Sequence, residues 1–154
     1  MINGRFAIAI HILSLLSMEE SLSSEYIASS ININPVLVRK ELSRLRKANL
    51  VETKEGKNGG SSLACSPKKI TLADVYKATY EKPLFNHSKN KPNPKCPMGK
   101  KIGEIMDEVN EAAEAALLKK LGSISIEKFT MQLWFFLIKT VIKKVSFKFL
   151  FLKL

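Results

Sequence analysis

The sequence has few cysteines and few of the residues that mark repetitive or irregular chains. Its 154 residues include only 2 Cys, 7 Gly and 6 Pro. Two thiols are too few for a disulfide framework or a four-cysteine zinc site, and so little Gly and Pro excludes a collagen-like or low-complexity chain. With 45% hydrophobic residues, the composition is typical of one globular domain of ordinary size.

Acidic residues and long apolar runs are also scarce. Only 14 Asp and Glu accompany 25 Lys and Arg, and the formal net charge of +11 favours an anionic partner such as nucleic acid or a membrane surface. The longest uninterrupted apolar run, residues 133–138, is far shorter than the roughly twenty residues of a membrane-spanning helix. No secretory signal is recognised at the start, so we expect a cytoplasmic protein with reduced thiols and no bound metal.

The charges are grouped along the chain. Residues 35–69 carry nine basic and three acidic residues, whereas residues 104–114 carry five acids and no basic residue. Residues 83–103 and residues 129–154 each carry five Lys without an acid. A charge run is often only a solvated face, and for residues 89–101 this interpretation is as good as a functional one.

Apolar spacing and capping residues predict three helices in the first 50 residues. A helix over residues 3–18 has a broad apolar face, and a short second helix begins at Ser23 and Ser24. Asn34 suits the cap and Pro35 the first position of a third helix, whose apolar stripe opposes a basic face. Two helices joined by about four residues form a helix-turn-helix pattern.

A β-hairpin is predicted directly after the third helix. Residues 50–54 and 61–65 are strand candidates, and Asn58 followed by Gly59 is a strong signal for the turn between them. A hairpin at this place is the wing of a winged helix. The predicted fold class is therefore mainly α with a small β-hairpin: a winged helix-turn-helix followed by a long helix.

The second half of the chain predicts further helices around a loop. Thr71 with Asp74 begins one helix, Pro97 begins a long one that ends near Leu121, and Ser125 begins the last. The long helix has an apolar seam with small residues, as in a coiled coil. The predicted organisation is a DNA-binding domain (1–80), a loop (81–96), the long helix with a C-terminal helix (97–136) and an atypical basic, apolar tail (137–154).

The tail leaves two interpretations open. Six of the eight Phe and the only Trp lie after residue 128, among the five Lys of that stretch. This composition fits a final helix that packs on the domain and then extends beyond it. It also fits a basic, aromatic helix that lies on a membrane surface.

Five stretches of the chain have a characteristic order and spacing: residues 5–13, 24–28, 35–50, 56–60 and 71–76. In this order and spacing, residues 2–133 resemble the Rrf2 family of bacterial winged-helix transcription regulators. A sixth stretch, residues 93–100, resembles the YwnA-like branch of that family.

This resemblance implies a homodimer that binds double-stranded DNA at a palindromic operator. We predict a repressor, with an activator as the alternative that the sequence leaves open. The two subunits would join through the long helix. The implied interface uses the apolar seam of that helix: Ile102, Ile105, Met106, Val109, Ala113, Ala116 and Leu117.

The sequence departs from the family at two points. Iron–sulfur members carry three cysteines before the long helix, where this chain has only Cys96. Because a [2Fe–2S] cluster takes about four protein ligands, no cluster and no other cofactor is expected. Many members also carry Arg before the first glycine of the wing. Here that residue is Glu55, which phosphate repels, although Lys54 and Lys57 can compensate.

In this architecture the third helix enters the major groove of DNA. Arg39 is predicted to contact guanine, because its planar fork matches O6 and N7. Asn34, Val36 and Leu37 are predicted to face the bases with it. The remaining predicted contacts are to the DNA backbone or from the wing tip, and they comprise Arg5, Ser24, Lys40, Ser43, Arg44, Lys47, Lys57 and Asn58.

The cysteines and histidines leave alternatives. Cys96 lies beside Lys95 and just before a helix, which favours the thiolate and a redox or electrophile switch, although an ordinary loop thiol is as good an interpretation. Cys65 and His11 are predicted to pack in the interior. His87 lies nine residues before Cys96, so a thiol enzyme is a further alternative, but no HExxH, CxxC or phosphate loop supports catalysis.

Overall fold

The computed structural model describes residues 4–56, 59–80, 84–85 and 92–151, with side chains described up to residue 139. Within these residues the predicted fold class is confirmed: six helices accompany one two-stranded antiparallel hairpin. In chain order the elements are α1 (Gly4–Leu16), α2 (Ser24–Ile31), α3 (Pro35–Lys47), β1 (Val51–Lys54), β2 (Gly60–Leu63), α4 (Leu72–Thr79), α5 (Pro97–Gly122) and α6 (Ile126–Phe151).

The predicted caps define the helix-turn-helix. The Ser23 side chain accepts a hydrogen bond from the backbone N–H of Tyr26 and begins α2. Asn34 accepts from the N–H of Val36 at 2.8 Å and begins α3, with proline at the first helical position. Asn32 ends α2 in the left-handed conformation, with φ of 57°, which asparagine tolerates better than most residues. The turn between the two helices is therefore short and locally determined.

The core lies between α1, α2, α3 and α4. Ile12, Leu13, Ile27, Val38 and Leu45 are all buried there. Burial of each such side chain contributes about 1.5–3 kcal/mol. His11 was predicted to join this core, and that prediction is wrong, because the side chain is exposed on the opposite face of α1.

The wing is a hairpin supported by a third stretch of backbone. β1 and β2 pair from Val51 with Leu63 to Lys54 with Gly60. Leu22, just before α2, exchanges two backbone hydrogen bonds with Ser61. Gly56 has a φ of +110°, which residues with a Cβ rarely adopt.

The strands are shorter than predicted. β2 ends at Leu63, and the chain bends at residues 64 and 65. Cys65 therefore lies beyond the sheet and is exposed. The prediction that this thiol packs in the interior is wrong.

Two backbone hydrogen bonds hold the start of α6 against the start of α4. The N–H of Leu72 donates to the carbonyl of Ile124 at 2.9 Å, and the N–H of Ile126 donates to the carbonyl of Ile70 at 2.8 Å. Beside them, Thr71 and Asp74 form the predicted capping box of α4. The turn between α5 and α6 is thereby fixed to the start of α4.

The two long helices extend away from that turn. Ile126 and Thr130 of α6 are buried, whereas every side chain from Met131 to Lys139 is exposed. The backbone of α6 continues as helix across residue 137, the predicted start of the tail. Among the helices described, none combines the length and apolarity needed to cross a bilayer.

Candidate nucleic-acid interface

The outer face of α3 carries a basic stripe. Its inner face buries Val38, Leu42 and Leu45 in the core. Residues separated by three or four positions share one side of a helix, so the stripe opposite the core consists of Val36, Lys40, Ser43 and Lys47. Both lysines are exposed and have no ion-pair partner among the described residues. They are therefore available to an external anion. Leu37, beside this stripe, is 49% exposed.

A cleft separates α3 from the wing. Its volume is about 270 Å³, and its floor and walls come from the start of α2, one side of α3 and both strands. Three cationic side chains line it: Arg39, Arg46 and Lys54. Neither Arg46 nor Lys54 has an ion-pair partner among the residues described. Three cations around one cleft make it a candidate site for an anionic group such as a phosphate.

Arg46 was not predicted as a DNA contact. It follows Arg39 by seven residues, which places both on the same side of α3. This seven-residue spacing is the feature of the sequence from which Arg46 could have been predicted. The importance of Arg46 depends on the wing, which lies opposite α3 and which the pattern of one helix does not reveal.

Arg39 is held by the start of α2. Its Nη1 donates to Glu25 Oε1 at 2.9 Å and lies 3.4 Å from Ser24 Oγ, which itself donates to Glu25 Oε1 at 3.1 Å. The pKa of the Glu25 carboxyl is held below its ordinary value by the backbone N–H of Glu25, then by the Ser24 hydroxyl, and then by Arg39. Arg39 and Glu25 remain 53% and 66% exposed. Arg39, which is predicted to contact a base, is therefore paired with Glu25 but remains accessible to solvent.

Arg44 is engaged with the interior. Its Nη1 donates to Oε1 of Glu41, a carboxylate that is only 6% exposed, and Glu41 Oε2 has no partner in the described part of the chain. Arg44 was predicted to lie on the basic outer face of α3, and no role was predicted for Glu41. Glu41 lies three residues after Val38 and so falls at the margin of the apolar stripe. Phosphate contact by Arg44 stays a prediction, and the geometry gives it a structural partner instead.

The other predicted contacts differ in position. Ser24 is half-buried at the first turn of α2, and Arg5 is exposed on α1. The side-chain oxygen of Asn34 is occupied by its capping bond. Lys57 and Asn58, the predicted tip of the wing, lie outside the described residues.

A second candidate surface runs along α5. Ile102, Ile105, Met106 and Val109 are 45%, 52%, 36% and 46% exposed. Their spacing places them on one side of the helix together with Ala113, Ala116 and Leu117. Asn110 borders this apolar side: it is buried and makes two hydrogen bonds of 2.8 Å with the backbone of Phe85.

Cys96 occupies the position just before α5. Its thiol is half-buried and makes no capping hydrogen bond. The backbone carbonyl of Cys96 accepts from the N–H of Lys100 in the first turn. His87, the partner required by the thiol-enzyme hypothesis, lies outside the described residues.

Comparison with known proteins identifies similar chains. Residues 2–132 match the Rrf2 family, described as iron-dependent transcriptional regulators. YwnA of Bacillus subtilis strain 168, named as an HTH-type transcriptional regulator, is 48% identical over 128 residues, which cover 82% of this chain and 95% of that protein. The HTH-type transcriptional regulator NsrR of Halalkalibacterium halodurans is 32% identical over 113 residues, covering 69% and 77% of the two chains.

A crystal structure of a protein described as DNA-binding has the same fold. It is 42% identical, aligns with a TM-score of 0.66, and covers 81% of this chain and 97% of its own. The family and these relatives are regulators and not enzymes, which argues against the thiol-enzyme hypothesis. The membrane-surface hypothesis gains no support from them.

The residues present do not fit the iron centre suggested by the description of the family. The chain has 2 cysteines, of which Cys96 precedes α5 and Cys65 follows β2. Within the described ranges, no three His, Cys, Asp or Glu side chains form a group that could hold a metal ion. A [2Fe–2S] cluster takes about four protein ligands, which is more than the 2 cysteines of this chain supply.

Proposed function

The chain belongs to the Rrf2 family of transcriptional regulators, and on that basis we propose that it binds a palindromic operator as a homodimer and represses the adjacent genes. The main observation in support of this proposal is that α3 has two opposite faces of different character. One face is buried in the core, and the other presents Lys40 and Lys47 without partners in the described part of the chain.

In the proposed complex, α3 lies in the major groove. Val36, Lys40, Ser43 and Lys47 face the DNA, and Arg39 reaches guanine from the edge of that face. Arg46 and Lys54 hold the backbone phosphates that enter the cleft. Phosphate contacts determine position and salt dependence, whereas contacts with base edges determine sequence.

The proposal of a homodimer is supported by the apolar side of α5. Four large side chains between Ile102 and Val109 are exposed in the single chain, and a second copy of the helix is an occupant that would cover them. Val109→Glu places a charge at the centre of this surface without touching the core. By sedimentation equilibrium, we expect the parent protein to be a dimer and V109E a monomer, with Lys119→Glu as a control that stays dimeric. A monomeric parent would contradict the homodimer.

Operator binding and repression have separate tests. The purified protein is used to select fragments from a genomic DNA library at several salt concentrations. We expect an enriched palindrome and an affinity that falls steeply with salt. A folded protein that enriches no sequence contradicts the operator. A reporter carrying the selected site then tests repression: expression should rise when the gene for this protein is deleted, and a fall would identify an activator.

We further propose that oxidation of Cys96 weakens operator binding. The supporting observation is its position at the first turn of α5, the helix that carries the proposed dimer surface. The exposure of Cys65 makes it the necessary control. Peroxide should release DNA from the parent protein and from Cys65→Ser but not from Cys96→Ser. Equal release from all three would exclude Cys96 as the sensor.

A further inference from the structure

A carboxylate lies within the cationic surface proposed to meet DNA. Glu25 is the one acidic residue among the described residues that line the cleft, where it accompanies Arg39, Arg46 and Lys54. A negative charge at this place repels phosphate and therefore lowers the affinity for DNA of any sequence. A physical reason is therefore needed for the presence of Glu25 in this cleft.

The stability of the fold does not explain the presence of Glu25 in the cleft. An ion pair between two side chains that are each more than half exposed contributes little to folding, because water screens the charges. The carboxylate is nevertheless well held. Glu25 Oε1 accepts hydrogen bonds from the Ser24 hydroxyl and from Arg39 Nη1. The backbone N–H of Glu25, the Ser24 hydroxyl and Arg39 together lower the pKa of this carboxyl.

The contact does constrain one side chain of α3. Guanidinium is planar and has five N–H donors in a fixed fork. Because Glu25 and Ser24 both engage Nη1 of Arg39, the orientation of the whole plane is restricted. The donors on Nη2 and Nε are not engaged by these two residues. Two donors on one edge of the fork are what a guanine base requires.

We propose that Glu25 is a positioning residue for sequence recognition: it orients Arg39 so that the free edge of the guanidinium meets guanine. This inference rests on the proposed function. It adds that specificity resides in a pair of residues from α2 and α3 together. Glu25 lowers the affinity for all DNA and raises the preference for the operator over other sequences.

The test measures two affinities for each variant, one for the selected operator and one for a scrambled duplex of equal length. In Glu25→Ala we expect the affinity for scrambled DNA to rise and the ratio of the two affinities to fall by about tenfold, the scale of one bidentate base contact. Glu25→Asp, which keeps the charge, should recover part of the ratio. Glu55→Ala, which removes an exposed carboxylate from the wing, should raise both affinities and leave the ratio unchanged.

A double variant shows whether Glu25 acts through Arg39. Arg39→Ala should lower the ratio by a similar factor, and Glu25→Ala should lower it no further in that background. An operator that contains 7-deazaguanine, which lacks the N7 acceptor, should abolish the difference between the parent protein and Glu25→Ala. All variants should give the parent circular dichroism spectrum, because both side chains are exposed.

The outcomes separate the two proposals. A parent protein with equal affinity for both duplexes would overturn the proposed function itself. A second outcome is that the parent protein prefers the operator while the ratio of the two affinities is unchanged in Glu25→Ala or in Arg39→Ala. That result would overturn the positioning role of Glu25 but not the proposed function. A further loss of ratio in the double variant would show that Glu25 acts through a group other than Arg39, and would also overturn it.

Discussion

Leu22 and Ser61 are joined by two backbone hydrogen bonds, of 3.0 Å from Leu22 N to Ser61 O and 2.8 Å from Ser61 N to Leu22 O. One residue precedes α2 and the other lies in β2. The pair therefore fixes the start of the helix-turn-helix to the wing, although 39 positions separate them along the chain. The cleft that holds Arg39, Arg46 and Lys54 owes its shape to this connection.

Gly60→Ala tests the connection. A Cβ at residue 60 would contact the Ser21 hydroxyl and approach the carbonyl oxygen of Leu22 to 3.1 Å, so the two segments must move apart. We expect a loss of about 1 kcal/mol in the free energy of unfolding and faster hydrogen exchange at the amides of Leu22 and Ser61. Gly4→Ala, where a Cβ meets no atom within 4 Å, is the matched control. Unchanged exchange rates in Gly60→Ala would contradict the role given to this contact.

Arg44 offers a test between a structural role and a phosphate contact. Arg44→Ala leaves the buried Glu41 carboxylate without its partner, and we expect a loss of about 1–3 kcal/mol in urea unfolding. Glu41→Met removes the buried charge and should cost less. If Arg44→Ala keeps the stability of the parent protein but loses DNA affinity, the phosphate contact predicted from the sequence is the correct role.

Arg46 is predicted to contact phosphate in the cleft. Arg46→Ala should weaken binding to operator and scrambled DNA equally. Its plot of log affinity against log salt concentration should have a slope shallower by about 0.9 for each phosphate that the variant no longer neutralises. Lys77→Ala, which removes an exposed cation from α4, should leave the slope unchanged. A selective loss of operator affinity in Arg46→Ala would indicate a base contact instead.

Glu25 should titrate at a lower pH than an unconstrained glutamate. Its pKa is depressed in the folded protein by the backbone N–H of Glu25, the Ser24 hydroxyl and Arg39. A depressed pKa stabilises the fold at pH values above the unfolded pKa, and this contribution disappears as the pH falls through the folded pKa. Carboxyl NMR titration should show Glu25 below its ordinary range and closer to it in Ser24→Ala. An equal midpoint in both proteins would contradict the hydrogen bond.

Local signals predicted the elements well. Two predicted helix caps were confirmed: Asn34 with Pro35, and Thr71 with Asp74. A cap could be predicted because its hydrogen bonds involve only residues within one helical turn. His11 was misplaced because its neighbours along the chain are apolar. The angular positions of Ala9, Ile12 and Leu16 on α1 place the buried face on the other side.

The site depended on contacts that a sequence pattern does not contain. The pairing of Glu25 with Arg39 joins residues on two helices, and the cleft around Arg46 exists only because the wing stands opposite α3. Glu41 was overlooked for a different reason: its partner Arg44 lies three residues later on the same helix, but spacing along one helix does not show that the Glu41 side chain is buried. The spacing of apolar residues predicts the buried face of one helix or strand. The candidate site lies between α2, α3 and the wing, and the spacing within one element does not predict it.

The attachment of the α5–α6 turn to the start of α4 has a mechanical consequence. A helix of 26 residues is about 39 Å long. The α5–α6 turn fixes the C-terminal end of α5 to the start of α4, and Asn110 joins the middle of α5 to the backbone of Phe85, whereas Cys96 lies at the opposite end. The turn is the fulcrum for any rotation of α5 about that fixed end, and α5 is then the lever arm. A rotation of about 5° at the fulcrum displaces the far end, where Cys96 lies, by about 3 Å. Conversely, a displacement of a few ångströms near Cys96 corresponds to a rotation of a few degrees of α5 about this turn.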